Sequence, residues 1–517
     1  MYDATLLQIG RNSQVFVDNS LIEQTDSLTR RWHKPERLGP EPVLRADRPW
    51  EHTPYFTYSN FNVLKDPTDG LVKCWYEDLG PLSPYGGHPW KNRMLYAVSS
   101  NGVDFEKPAL GKVKINGQDT NIFAGYVEGM SSGKDYPWAD IGVHSAAIVI
   151  QPDSVDERYR MLFSRAGATG GHRIQCAYSA DGITWRPYEE PPSFGMTGHL
   201  SDVSTITYDQ GSRLFLQYTR HGRMMSAGIP PGSPGRKPAD GARFGTYFPG
   251  RPDLMNKRRV FRTVSADFIH WEDLIPISTP DEIFDNLDTG HYGVGQFRIG
   301  ARHFGTLGVF NYVDNEMEVR LIYSNDGVNW APTDAGRAFL APRRGENWDR
   351  HMVSIVSPPV RVEDQWYFYH GGSWAHHDYW WAGPHKLSHN EARDPTAEVH
   401  FGLGIATLRY EGVASLDAVA PRAGRLVTRP LNFSGGKLQI NARTRGNGSI
   451  RVGLADAGGV PLPGFGLEEN VPFSGDAIRH HCRWHGVDEI PDGTPDQYRK
   501  LVFDIEDAEI FGFVVGE

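Results

Sequence analysis

The sequence predicts an all-β protein, a five-bladed β-propeller followed by a C-terminal β-sandwich, and three observations carry that prediction. Helical periodicity is nearly absent along the chain. One pattern of strand, Ser, tight turn and aromatic residue recurs in four places. Beyond about Glu411 the composition shifts to Gly-rich hairpins. Short strands at regular intervals with turn signals between them are the mark of propellers, barrels and sandwiches.

The four copies of the pattern lie at residues 95–105, 174–185, 261–271 and 321–330, ending in Phe105, Trp185, Trp271 and Trp330. In each, an alternating strand feeds an Asn/Asp-containing turn, and the aromatic residue is placed to fold back on the hairpin. Upstream of the copies run second strands at 71–76, 159–163, 214–218 and 303–310, and a fifth at 366–370. Further apolar strands, such as 146–150 and 204–208, precede these. Four short antiparallel strands per unit, repeated five times, make the propeller. The fifth unit lacks the turn and closes on Gly404–Tyr410. Unequal separations between Ser100, Ser179, Ser265 and Ser324 give the blades loops of different length, and long loops on one face build binding sites.

The domain boundaries follow. Residues 1–45 form an initial strand at Val15–Ile22 and an extended arm that wraps the propeller, 46–410 the propeller itself, and 411–517 the sandwich, a size usual for such a module.

Composition limits what this fold does. The 517 residues include 57 Gly and 36 Pro, with 39% hydrophobic and 22% charged residues, which suits a chain that buries a large core. Lys and Arg total 53 against 63 Asp and Glu, a net charge of −10 without long runs of one sign. No phosphate-seeking basic face is written into it, so nucleic acid is not an expected partner. No stretch reaches the roughly 20 apolar residues that span a bilayer, and the start is neither basic nor followed by an apolar run. A cytoplasmic protein without a membrane partner is the expectation. Cys74, Cys176 and Cys482 form no Cys-x-x-Cys pair, so neither a disulfide framework nor a thiolate metal site is encoded.

The innermost strands of a propeller converge on an axial funnel, so polar residues at their starts face one cavity. Each unit offers a carboxylate and a His there: Glu51 and His52, Asp140 and His144, His199 and Asp202, Asp288 and His291, and Glu346, Asp349 and His351. Glycosidic cleavage needs two carboxyl groups about 5–9.5 Å apart, one protonated and one ionised. Crowded carboxylates raise the pKa of one member, which supplies the acid. Asp202 and Asp140 are the expected central carboxylates, with Glu51 and Asp349 completing an acidic wall. His144, His291, His351 and Arg220 are the expected hydroxyl-binding or charge-steadying groups, with Asp288 and Glu346 beside them. Tyr292 and Trp348 are the expected sugar-bordering rings, and Trp50, Trp138, Trp374, Trp380 and Trp381 offer further flat faces.

The segments Val15–Glu23 and Pro42–Glu51, the Ser-x-Asp-Gly-x-x-Trp turns, and Gly404–Arg409 with Ser415-Leu-Asp417 together resemble bacterial propeller proteins described as glycosyl hydrolase family 32-like. The resemblance spans nearly the whole chain and implies kinship with the five-bladed furanosidase families 32, 43, 62 and 68. It implies cleavage or transfer at a small glycoside, often a fructofuranoside or arabinofuranoside, and a terminal β-sandwich. By blade position it sets Glu51, Asp140 and Asp202 where that family keeps its three carboxylates. The chain departs from the family's Trp-x-Asn-Asp-Pro-Asn, Arg-Asp-Pro and Glu-Cys motifs in the matching blades, and Asp202 stands where the family has Glu. Arg393-Asp394-Pro395 has the letters of one motif but falls in the last blade.

Two other readings use the same residues. Neutral imidazoles at His52, His144, His199, His291 and His351 converging on a divalent metal make a metal-dependent lyase or hydrolase, with a single structural divalent cation near the axis as a milder form. A funnel without paired carboxylates makes a non-catalytic carbohydrate-binding propeller. The favoured glycosidase requires no cofactor. The long insertions 222–257 and 370–398 are candidates for a lid or for contacts in a homo-oligomer.

Overall fold

A computed structural model describes residues 7–79, 91–166, 172–195, 203–220, 258–281, 283–286, 288–377, 400–494 and 497–516. Among them there is no α-helix, a 3-10 turn lies at Asp334–Gly336, and no helix is long and apolar enough to cross a membrane.

Successive antiparallel meanders occupy residues 53–409. The first runs Phe61–Lys65, Val72–Leu79, Arg93–Ser99, Ile122–Gly125. The second runs Gly142–Ile150, Tyr159–Ala166, His172–Ser179, Arg186–Pro187, and the third Ser204–Asp209, Leu214–Arg220, Val260–Ser265, Ile275–Ser278. The fourth is built on Thr289–Ile299, Arg302–Asn311 and Glu316–Ser324. A parallel pairing of Met317 with Met352 joins it to the fifth, Met352–Ser354, Gln365–Ser373 and Phe401–Arg409. Most strands begin or end one to four residues beyond their sequence-predicted limits, because apolar alternation stops where the polar ends of the strands begin.

The recurring turn is a side-chain clamp. Gly102, Gly182, Phe268 and Gly327 each donate their backbone N–H to a Ser Oγ three residues back at 2.9 Å. The Asn or Asp of each turn accepts the next two backbone N–H groups, as Asp181 does from Ile183 and Thr184 at 2.8 and 2.6 Å. Ser99, not Ser100, fills this role in the first copy. Trp185, Trp271 and Trp330 fold back as expected, their indole N–H bonded to the turn carbonyl at 3.1, 3.0 and 3.1 Å. The position after the Asp or Asn requires positive φ, 77° at Gly182 and 73° at Phe268. Phe268 accepts that strain while buried against Phe215 and Trp271, at ring distances of 5.1 and 5.5 Å.

The first strands of the meanders meet along one axis. Asn62 bridges to the second meander through Ala146 and Ile148, Ser59 Oγ accepts from Ser204 N of the third at 3.1 Å, and Ser357 Oγ of the fifth accepts from Val63 N at 2.9 Å. Thr207 bonds Gln296 of the fourth at 2.7 Å, and Thr306 bonds Ile355 at 2.8 Å. At the finishing ends of these strands a cavity of about 610 Å³ is lined by Lys65, Ile150, Tyr208, Arg298 and Val360, one contribution from every meander.

The C-terminal strands Ala414–Thr428, Leu438–Asp456 and Arg499–Val515 form one nine-stranded sheet with the beginning of the chain. The separate hairpin strands expected there are continuous. Register shifts at Ala418/Ala423 and Thr444/Ser449 let the long strands bend, and residues on both sides of the bends share one core with Phe503, Ile450 and Ile510. Val15–Ile22 is not one strand: Asp18 accepts from Ser20 N at 2.9 Å, and this turn separates Gln14–Val15 from Ile22–Asp26. Both pieces, and Thr29–Trp32, pair with the C-terminal strands, while Glu36–Arg37 becomes the outer strand of the fifth meander.

Candidate active site

At the starting ends of the axial strands, three consecutive residues of the first meander touch three others. Tyr58 stacks on Tyr292 of the fourth at 5.0 Å, Ser59 bonds the third, and Asn60 bonds Ser145 of the second at 3.3 Å. Tyr58 and Ser145 have φ of 50° and 51°. Register shifts at His144/Ala147 and His291/Val294 bulge two of the axial strands at this level.

Glu77 is the centre of the first polar network there. Fully buried, its carboxylate accepts from Asn60, Asn92, the Ser145 backbone N–H at 2.9 Å and His144 Nδ1 at 2.7 Å. The contact with Glu77 favours the His144 tautomer that carries its proton on Nδ1, in which Nε2 is the acceptor nitrogen. The neighbouring Asp78 is also buried. It accepts from the His52 and Thr53 N–H groups and pairs with Arg93, yet burial outweighs these contacts and pushes its pKa up to about 6.

A second cluster gathers around Tyr292, whose hydroxyl bonds His377 Nε2 at 2.7 Å. The guanidinium carbons of Arg220 and Arg258 lie 4.7 and 4.6 Å from its ring centre. Beside it, Glu316 lies 3.5 Å from His351, whose ring packs on His376 at 3.7 Å.

The expected acidic wall is not assembled among the described residues. Glu51 is buried in a knot of its own, accepting from Tyr76 and Lys107 at 2.7 Å and from the Asp47 and Arg48 N–H groups. Asp349 is gripped by Arg37 and Arg343, both at 2.7 Å, and so ties the amino-terminal arm to the last meander. Trp348 belongs to the same staple: its indole N–H bonds Pro40 and its ring stacks on His370 at 5.4 Å. Asp140 is exposed in a turn and accepts from Ser132. Glu346 is 92% exposed beside Arg350, and Asp288 accepts the Val313 N–H. His291 is buried between Ser278 and Asp285. Burial raises the Asp285 pKa, but His291, the Asp281 N–H and Arg320 outweigh it and hold the pKa at about 2. Of the expected rings, Trp50 bonds Asn121 and Trp138 packs edge-on against Phe163. Asp202, His199, Trp380 and Trp381 lie outside the described residues, as do most of both long insertions.

The imidazole ring of the metal reading is likewise not gathered among the described residues: His144, His291 and His351 have separate partners in Glu77, Asp285 and Glu316. No group of three or more His, Cys, Asp or Glu side chains among the described residues is arranged to hold a metal ion.

Glu77, Asn60, Asn92, Tyr58, Arg258 and His377 went unnoticed in the sequence. Only Glu77 had a signal, since a Glu-Asp pair continuing an apolar strand beyond Tyr76 puts charge where the pattern predicts burial.

No family model and no curated protein matches the chain, so the resemblance to family 32 gains nothing from either. Among solved structures it is similar to one described as showing that family 130 mannoside phosphorylases contain glycoside hydrolases that target β-1,2-mannosidic linkages in Candida mannan. That match has 14% identity and a TM-score of 0.44, over 73% of this chain and 94% of the other. A thermostable family-43 glycoside hydrolase matches at 10% and 0.41, over 69% and 91%. An N-acetylgalactosamine deacetylase from F. plautii, in complex with blood group B trisaccharide, matches at 13% and 0.41, over 74% and 96%. Likeness at this level decides no chemistry.

Proposed function

We propose that the chain is a glycoside hydrolase acting on a small glycoside at the axial mouth of a five-bladed propeller, with a furanoside as the substrate class to be tested first. The successive meanders are read as the blades, and the bent C-terminal sheet as the sandwich. The observation that carries the reading is the convergence of four meanders, through Tyr58, Ser59 and Asn60, on a mouth holding the buried Glu77 and its half-buried partner His144.

In this reading Glu77 is a positioning residue. It fixes the His144 tautomer and stabilises the imidazolium, so that Nε2 can lend a proton to a leaving oxygen or take one from water. Tyr58 and Tyr292 border the sugar, and Arg220 and His351 meet its hydroxyl groups. Asp202, one residue before Val203 at the start of the third axial strand, is kept as the proposed central carboxylate on its sequence position alone.

The test is hydrolysis of a panel of aryl furanosides and pyranosides by the full chain. Release of aglycone from one member, lost by several orders of magnitude in Asp202→Asn and at least a hundredfold in His144→Ala, supports the reading. Inertness across the panel, with chelator and added divalent cation making no difference, overturns it in favour of a carbohydrate-binding propeller.

A further inference from the structure

Several buried or half-buried arginines among the described residues are paired with carboxylates. Arg93 meets Asp78, Arg302 meets Asp18, and Arg37 meets Asp349. Arg258, at the mouth, is not paired in this way among the described residues. It is 3% exposed, its backbone carbonyl is anchored by the His291 N–H at 2.9 Å, and its Nε and Nη1 atoms are buried without a hydrogen-bond partner. The rings of Tyr292, Phe310 and Tyr312 surround the guanidinium at 4.6, 5.3 and 5.4 Å.

Ring faces offset part of the cost of burying a cation, but they accept no N–H in the guanidinium plane. The aromatic cage therefore holds the charge in place and leaves its donor edge unspent. The Arg220 guanidinium lies 4.7 Å from the same Tyr292 ring. Neutral hydroxyl groups would satisfy N–H donors without relieving that charge. An oxyanion does both, through short charge-assisted bonds to a planar fork.

We propose that Arg258, with Arg220 beside it, is an oxyanion site, taking either the carboxylate of an acidic sugar or a free phosphate. The inference rests on the mouth being where the sugar binds, and it narrows the substrate class from glycosides in general to those that bring an anion with them.

Calorimetric titration of the full chain in a phosphate-free buffer, with inorganic phosphate, glucuronate and glucose in turn, tests it. The expected result is saturable binding of phosphate or glucuronate, with glucose at least tenfold weaker, and at least a tenfold loss of anion affinity in R258M. R258K keeps the charge without the fork and serves as the second variant should R258M not fold; at least a threefold loss is expected there. Glucuronate binding without phosphate binding assigns the anion to the sugar, and phosphate binding assigns it to a free co-substrate. Equal binding of glucose and glucuronate with no phosphate binding, absence of anion binding, or variant affinities within twofold of wild type overturns the site. A wild-type protein that cleaves a neutral aryl glycoside but binds neither anion discards this inference and leaves the proposed function standing. Anion binding with no cleavage of any glycoside does the reverse.

Discussion

The outer turns and the axial mouth are both held by polar side chains, but they are assembled in opposite ways. In each turn, Ser, Asp or Asn and the aromatic residue satisfy one another within six residues, and the same distances recur in copies far apart in the chain. At the mouth, Glu77 is satisfied by residues 17 positions before it and 67 and 68 positions after it. A local clamp is stable in any fold that presents a strand end, so it repeats. A non-local knot exists only once the meanders have closed, and its members need share no pattern.

The sharpest way to break the contrast is at the knot. Glu77→Leu strands His144, Asn60, Asn92 and the Ser145 N–H at once, and an expected loss of about 3–5 kcal/mol should be read in urea unfolding. Glu77→Gln keeps the shape, and its expected effect is a fall in kcat/KM of at least a hundredfold on whichever glycoside is cleaved.

The fifth meander lacks the turn and relies on the Arg37, Asp349, Trp348 and His370 staple, so it should respond to pH in a range above that of the turns, where the Asp181 carboxyl, raised by burial but lowered more by the Thr184 and Ile183 N–H groups, is held below the usual carboxylate range. Burial, reinforced by Arg37 and Arg343, lowers the His370 pKa to about 3 from 6.5. A depressed pKa contributes stability that is complete above 6.5 and lost as pH falls toward 3. The slope approaches 1.4 kcal/mol per pH unit at most. Thermal melting against pH should show that slope in the wild type and a shallower one in His370→Gln.

The clamp is the smaller target. Asp181→Ala removes three turn bonds and should cost about 1–2 kcal/mol, and Trp185→Phe, which deletes the bond to Gly182 and shrinks a buried ring, about 2 kcal/mol. Both are expected to leave the wild-type slope unchanged between pH 6.5 and about 4, because the lowered pKa of Asp181 confines its own contribution to more acid pH. A Trp185→Phe cost as large as that of Glu77→Leu would erase the distinction between the two regions.

Legibility followed the same division. The turns could be read from Ser179, Asp181, Gly182 and Trp185 because every contact that builds them is short-range. The site could be read only as a level in the fold: His144, His291, Tyr292, Arg220 and His351 do lie at the starting ends of the axial strands or beside them. Which carboxylate faces that level could not be read. Glu51 and Asp349 have the expected spacing, but Lys107 in one case and Arg37 with Arg343 in the other had already claimed their charge. Those partners are 56, 312 and 6 residues away, and no periodicity joins them.

The sequence alone therefore determined the all-β architecture, the meander repeat and its turns, since period-two alternation and turn chemistry act over a few residues. Closure of the ring decided the rest: the pairing of the first thirty residues with the last sheet, the retirement of two acids into staples, and the burial of Glu77 and Arg258 at the mouth. A buried charge is fixed by whatever surrounds it in three dimensions, and those surroundings come from meanders that meet only when the axis forms.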